Sequence, residues 1–166
     1  MSGFTIVLKK SIGSGCNVIS ISGGGSVILK SMTINGGSSR YGTNNTPLLD
    51  IGIGSISCED VTFENITRVS GNGTIFEFPS LSTSITFSGI TFGNCKCLDG
   101  SGGAISVTLS SSLYSLSFIS LSFTSCYASV YGGGIYLSLS SLPSSLSISL
   151  TNFTSNAATK GNTLFV

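Results

Sequence analysis

Ser84–Cys95 reads SITFSGITFGNC, and Ser115–Cys126 reads SLSFISLSFTSC. The same twelve-residue pattern stands without gaps at Ser26–Gly37 (SVILKSMTINGG), Ser55–Ile66 (SISCEDVTFENI) and Ser145–Asn156 (SLSISLTNFTSN). A large apolar residue recurs at Ile34, Phe63, Phe92, Phe123 and Phe153, in steps of 29, 29, 31 and 30 residues (34 to 63, 63 to 92, 92 to 123, 123 to 153). A fixed period of this length marks a repeat architecture. The columns sort by chemistry. The second position is Val27, Ile56, Ile85, Leu116, Leu146, and the fourth is Leu29, Cys58, Phe87, Phe118, Ile148. Between them stand Ile28, Ser57, Thr86, Ser117 and Ser147, polar in all but the first. That alternation has period 2 and predicts a strand with one buried face.

A short break follows at Lys30-Ser31, Glu59-Asp60, Ser88-Gly89 and Ile119-Ser120, and a second short strand then buries Met32, Val61, Ile90 and Leu121. In the last copy Leu150 and Thr151 put the alternation out of step, which predicts a bulge or an end effect there. A third strand is expected at Cys16–Ser22, Leu48–Ile53, Thr74–Phe78, Gly103–Leu109, Gly133–Leu139 and Thr163–Val166, with Gly- and Ser-rich connections and no helical period. A single coil cannot pair its short strands or bury enough apolar surface to offset its ordering entropy, so coils must stack on one another. The chain therefore reads as all-β, a right-handed parallel β-helix solenoid of roughly five coils with three strands per coil of about 30 residues. Residues 1–166 form a single domain, expected to be a segment of a longer repeat protein or a stacking subunit.

Composition narrows the function. Of 166 residues 8% are charged and 40% hydrophobic, with Lys+Arg 7 against Asp+Glu 6. A net charge of +1 supplies no basic patch for nucleic acid. The apolar content argues against disorder. No run approaches the roughly 18 apolar residues of a spanning helix, so no membrane insertion of this segment is expected. With no His, a Ser-His-Asp triad and a histidine-based metal site are excluded, and no cofactor is expected. The acids are Asp50, Glu59, Asp60, Glu64, Glu77 and Asp99. Glycoside hydrolysis needs two facing carboxylates, whereas the coils beside Glu59 and Asp60 offer Lys30-Ser31 and Ser88-Gly89. Arg40 and Arg68 fall in different loops, away from any acid cluster. The chain is expected not to be an enzyme, with a polysaccharide lyase or hydrolase the weakest alternative.

Gly102–Ile105 (GGAI), Gly132–Ile135 (GGGI) and Phe153–Asn156 (FTSN) resemble the GGAI and FxxN repeats of chlamydial polymorphic outer membrane proteins, and similar repeats occur in Pmp-like surface proteins of some protists. The resemblance covers residues 84–166 and implies a pectin-lyase-like β-helix serving as a passenger or adhesin domain, extracellular or on the cell surface. Cys95 and Cys126 stand where the motif has Asn.

Three surface or core features are candidates for function. Cys95 and Cys126 occupy one position in successive coils, and a stacking distance of about 4.8 Å falls inside the disulfide window. They read either as an oxidised staple or as buried thiols filling the place of the Asn. Cys58 reads as core, and Cys95-Lys96-Cys97 is too sparse, without His, for a zinc site. Asn72 and Asn152 begin sequons that suit glycosylation, as do Asn44 and Asn65 by pattern alone. Ser55, Ser57, Ser84, Thr86, Ser115, Ser117, Ser145 and Ser147 form an outward two-column hydroxyl array, flanked by Thr33, Thr62, Thr91 and Ser122. Such an array is similar to the Thr faces of ice-binding solenoids, and it also suits an ordinary outer β-face. The leading expectation is a non-catalytic structural or adhesin-type segment with a protein or glycan ligand, contacted through Gly36–Thr46 and Lys96–Gly102. An ice-binding solenoid and an end-to-end fibre subunit are the alternatives.

Overall fold

The apolar-polar alternation lays down long strands, and their 29–31-residue spacing places each one on the next. The structure, a computed structural model, describes residues 4–7, 19–21, 25–36, 42–43, 47–51, 54–78, 84–109 and 115–166. These residues contain strands and no helix, and none is long and apolar enough to cross a membrane as a helix. The strands stack in parallel as a β-solenoid of about four turns.

Three sheets wrap the core. The first has seven strands, Phe4–Val7, Gly25–Asn35, Gly54–Glu64, Ile85–Ser88 with Thr91–Gly93, Ser115–Thr124 and Ser145–Thr154. The second has four very short strands, Gly42–Thr43, Thr67–Arg68, Lys96–Cys97 and Tyr127–Ala128. The third has six, Ile19–Ile21, Leu49–Ile51, Phe76–Phe78, Ile105–Leu109, Ile135–Leu139 and Leu164–Phe165. The two strands expected from each repeat core are thus two halves of one sheet, bent in the middle. The separate face is made by two-residue strands, which lie in segments that read as loops in the sequence.

Registers follow the sequence columns. Val27 pairs with Ile56, Ile56 with Ile85, Ile85 with Leu116 and Leu116 with Leu146. Ile34, Phe63, Phe92, Phe123 and Phe153 likewise lie one above another. In the last step the register shifts at the bend, Leu121 pairing with Leu150 and Ser122 with Asn152. That is the irregularity expected from Leu150 and Thr151.

Inside, aromatic rings form two stacks. Phe63, Phe92, Phe123 and Phe153 follow one another at 5.6, 4.8 and 6.4 Å between centroids, with interplanar angles of 5–11°. Phe87 and Phe118 form the second stack at 5.3 Å. Phe76 of the third sheet joins both, edge-on to Phe63 at 5.4 Å and 4.7 Å from Phe87. Around them Ile56, Val61, Ile85, Ile90, Ile105, Val107, Leu116, Leu121 and Ile135 are fully or almost fully buried. The last rung is different: Leu146 and Phe153, in the same core columns, are 44% and 43% exposed.

The bends of the coil recur on left-handed residues at equivalent positions. The mid-sheet bend has Ser31, Asp60, Gly89 and Ser120, with φ from 48° to 64°, and the first corner has Asn65, Asn94, Ser125 and Ser155, with φ from 52° to 58°. The corner into the third sheet uses Gly73, Gly102, Gly132 and Gly161. Here space adds to conformation: a Cβ on Gly102 would lie 2.2 Å from the Ile105 carbonyl oxygen. Gly102→Ala is expected to destabilise the fold by about 1–3 kcal/mol, measured as a lowered urea midpoint with an unchanged slope.

Candidate functional site

On the first sheet the hydroxyl-bearing positions stack in register. Ile28, Ser57, Thr86, Ser117 and Ser147 are register partners in succession. Ser55 pairs with Ser26, and Ser115 with Ser145. The Ser115 amide donates to the Ser84 hydroxyl oxygen at 3.2 Å, so hydroxyls also join neighbouring coils. Beyond the bend Thr33, Thr62, Thr91, Ser122 and Asn152 stack in register. Two aliphatic residues interrupt this surface, Ile28 at 63% exposed and Ile119 at 41%. Glu59 is paired with Lys30 of the preceding coil, so its nearest charged neighbour is a cation.

The corner between the first and second sheets is held by side chains. Asn94 donates through Nδ2 to Asn65 Oδ1 at 3.0 Å, Asn65 to Asn35 Oδ1 at 3.3 Å, and Asn35 to Glu64 Oε1 at 2.7 Å. This chain of amides ends on a carboxylate, a charge-assisted acceptor. The next residue of each coil turns inward. Asn156 of the FTSN motif donates from Nδ2 to the Phe123 carbonyl at 3.0 Å and accepts the Cys126 amide at 2.9 Å. One coil earlier, Cys126 Sγ reaches the Phe92 carbonyl at 3.5 Å, and before that Cys95 Sγ reaches the Phe63 carbonyl at 3.7 Å. The two cysteines stand in the column of Asn156, as weaker donors to the same carbonyl column. Both are buried free thiols, as are Cys58 and Cys97, while Cys16 lies outside the described residues. Burial pushes the Cys58 thiol up to about 12 and Cys97 to about 11. Cys95 is also raised by burial, whereas Cys126 is lowered by the hydrogen bond from the Cys95 thiol.

A buried ion pair is not legible in the sequence. Arg68 occupies the inward column of the second sheet, in register with Thr43 and Cys97, and is 2% exposed. Its Nη1 lies 2.7 Å from Glu77 Oε2 and donates to the Gly73 carbonyl at 2.9 Å and to the Asn72 carbonyl. Gly71 lies directly against the guanidinium, where any Cβ would collide with it. One signal could have pointed to the pair: a charged residue in a column filled one coil later by buried Cys97 and then Ala128 needs a counter-ion.

The sequons differ in setting. Asn72 Oδ1 accepts the Ser101 amide at 2.8 Å, tying two coils together. Asn65 is committed to the amide ladder. Asn152 is exposed, with the Thr154 hydroxyl donating to its Oδ1 at 3.0 Å. Asn44 lies outside the described residues, as does most of Gly36–Thr46. Of Lys96–Gly102, Cys97, Ser101 and Gly102 are buried, and the exposed part is Leu98–Asp99.

Leu98 belongs to a longer feature. Val69, Leu98, Tyr127 and Val130 are each 36–43% exposed and lie along the second sheet and its outgoing turn over three successive coils. Lys96, Tyr127's register partner, adds a cation to this ridge. Among the described residues no group of three or more Cys, Asp or Glu gathers to hold a metal ion. No family model, curated protein or solved structure matches the chain.

Proposed function

We propose that this chain is the rigid shaft of a non-catalytic, adhesin-type protein outside the cell or on its surface, of the pectin-lyase-like, Pmp-like kind, and that it engages a protein or glycan on an opposing surface through the ridge on its second sheet. One observation carries the reading: Val69 and Leu98 stand on successive coils just past the second sheet, and the exposed Tyr127 and Val130 flank their column in the next coil, on a molecule whose first-sheet face is largely hydroxyl. Contiguous exposed apolar groups of this kind mark interaction sites, and a stacked core with an in-register ladder keeps them at fixed spacing. The FTSN corner, with Asn156 turned inward onto backbone, supports the Pmp-like part of the reading.

Beads coated with the full chain are expected to adhere to cultured cells or to glycan-coated surfaces. The combined change Val69→Ser, Leu98→Ser, Tyr127→Ser and Val130→Ser is expected to reduce adhesion at least tenfold, equivalent to about 1.4 kcal/mol, while leaving the melting temperature nearly unchanged. Equal adhesion of the two proteins, or adhesion by neither, overturns the reading. The in-register Thr33, Thr62 and Thr91 column beside Thr86 favours a second reading, an ice-binding face, distinguished by thermal hysteresis that Thr86→Tyr abolishes.

A further inference from the structure

The geometry points to a disulfide between Cys95 and Cys126, formed with a low-molecular-weight disulfide as oxidant, that staples two coils directly behind the ridge. Four observations support it. Lys96 pairs with Tyr127, and the Tyr127 amide donates to the Cys95 carbonyl at 2.9 Å, so the two cysteines sit one above the other at the corner, each one residue before a strand of the parallel pair. Strand spacing of about 4.8 Å lies within the Cα separation of roughly 4.4–6.8 Å that a disulfide spans. Their side chains turn the same way, Cys126 Sγ to the Phe92 carbonyl at 3.5 Å and Cys95 Sγ to the equivalent Phe63 carbonyl at 3.7 Å. Finally, neither of the two other cysteines among the described residues is so placed. Cys58 has Leu29 and Phe87 as register partners, and Cys97 has Arg68 and Ala128.

Asn156 adds a reason for the residue type. An amide in this column makes two good hydrogen bonds, at 2.9 and 3.0 Å, while the thiols make carbonyl contacts of 3.5 and 3.7 Å. Two successive cysteines thus give up polar satisfaction that asparagine would supply, and a covalent link between coils compensates for it. While the chain is still open, the Cys126 thiol ionises to the attacking group. Its thiolate displaces one thiolate from the small disulfide to give a mixed disulfide. Cys95, losing its proton to solvent, then attacks the Cys126 sulfur and releases the second thiolate. The two cysteines are oxidised, the small disulfide is reduced to two thiols, and the two protons lost from the protein end on them. Both sulfurs are buried once the coils close, so the exchange takes place during folding and closure seals the bond.

The test is to refold the reduced, unfolded full chain in a mixture of oxidised and reduced glutathione, block free thiols with iodoacetamide under denaturing conditions, and map the peptides by mass. One cross-linked species joining Cys95 to Cys126 is expected, lighter by the two lost hydrogens, with Cys16, Cys58 and Cys97 alkylated and a higher melting temperature than the reduced chain. Cys95→Asn and Cys126→Asn place the motif's own residue in the column. Each is expected to fold, to yield no cross-link and to melt at the same temperature in reducing and oxidising buffer. Recovery of folded protein with both Cys95 and Cys126 alkylated, or a cross-link through any other cysteine, overturns the assignment. Neither result depends on adhesion by the ridge.

Discussion

Phe92→Ala is expected to lower the stability of the chain by about 3–5 kcal/mol. Phe92 is fully buried and lies between Phe63 and Phe123, 5.6 and 4.8 Å away, with the three rings nearly parallel. Truncation removes the transfer free energy of the ring and both stacking contacts, and it leaves a void that neighbouring coils cannot close. Their separation is set by backbone hydrogen bonds on every side, so collapse into the void would break ladder bonds above and below. Against a typical domain stability of about 5–15 kcal/mol, such a loss brings the fold close to its limit. Phe153→Ala tests the same reasoning from the other end of the stack. Phe153 is 43% exposed and 6.4 Å from Phe123, so its truncation is expected to cost less than half as much. Urea unfolding followed by circular dichroism measures both. Equal losses would show that the ladder does not transmit packing from coil to coil.

Glu77→Gln carries the second large effect. Arg68 is buried with its guanidinium 2.7 Å from the Glu77 carboxylate. An isosteric neutral partner leaves a buried cation uncompensated, at an expected cost of about 3–5 kcal/mol. Arg68→Met with Glu77→Gln removes both charges and keeps the volume. The column beyond position 68 is apolar, Cys97 and Ala128 being buried there, so the double variant is expected to recover most of the loss of the single one. The coupling between the two positions, read from the double-mutant cycle, is the decisive quantity. Additive losses would mean that Arg68 acts only through its bonds to the Asn72 and Gly73 carbonyls. These bonds fix the 69–74 turn, so the same pair also sets where Val69 stands on the ridge.

The core columns are legible in the sequence because a parallel in-register solenoid turns sequence period directly into contact. Ile34, Phe63, Phe92, Phe123 and Phe153 stack because they recur at one step of the coil, and Ser57, Thr86 and Ser117 share a face for the same reason. The third strands at Ile105–Leu109 and Ile135–Leu139 are visible in the same way, since five residues suffice to show alternation. The second sheet is not. Thr67–Arg68, Lys96–Cys97 and Tyr127–Ala128 are two residues long, too short to show any period, and their pairing depends on where the first corner sends the chain. Arg68 accordingly reads as a loop residue, and nothing in its spacing announces Glu77. The ridge shares that origin: Val69, Leu98 and Val130 gain their exposure from the turn after each short strand, a property of corner geometry.

What the amino-acid order determined by itself is the one-dimensional part: the period, the buried columns, the hydroxyl face, and the coincidence of Cys95 with Cys126. Each follows from residues that repeat at the pitch of the coil, so that local alternation and long-range contact carry the same information. Tertiary structure alone decided what happens across the corners, namely the short second sheet, the Arg68–Glu77 pair and the apolar ridge. There the chain reverses through single left-handed residues, and the neighbours so created are fixed by backbone direction in three dimensions, which no spacing along the sequence encodes.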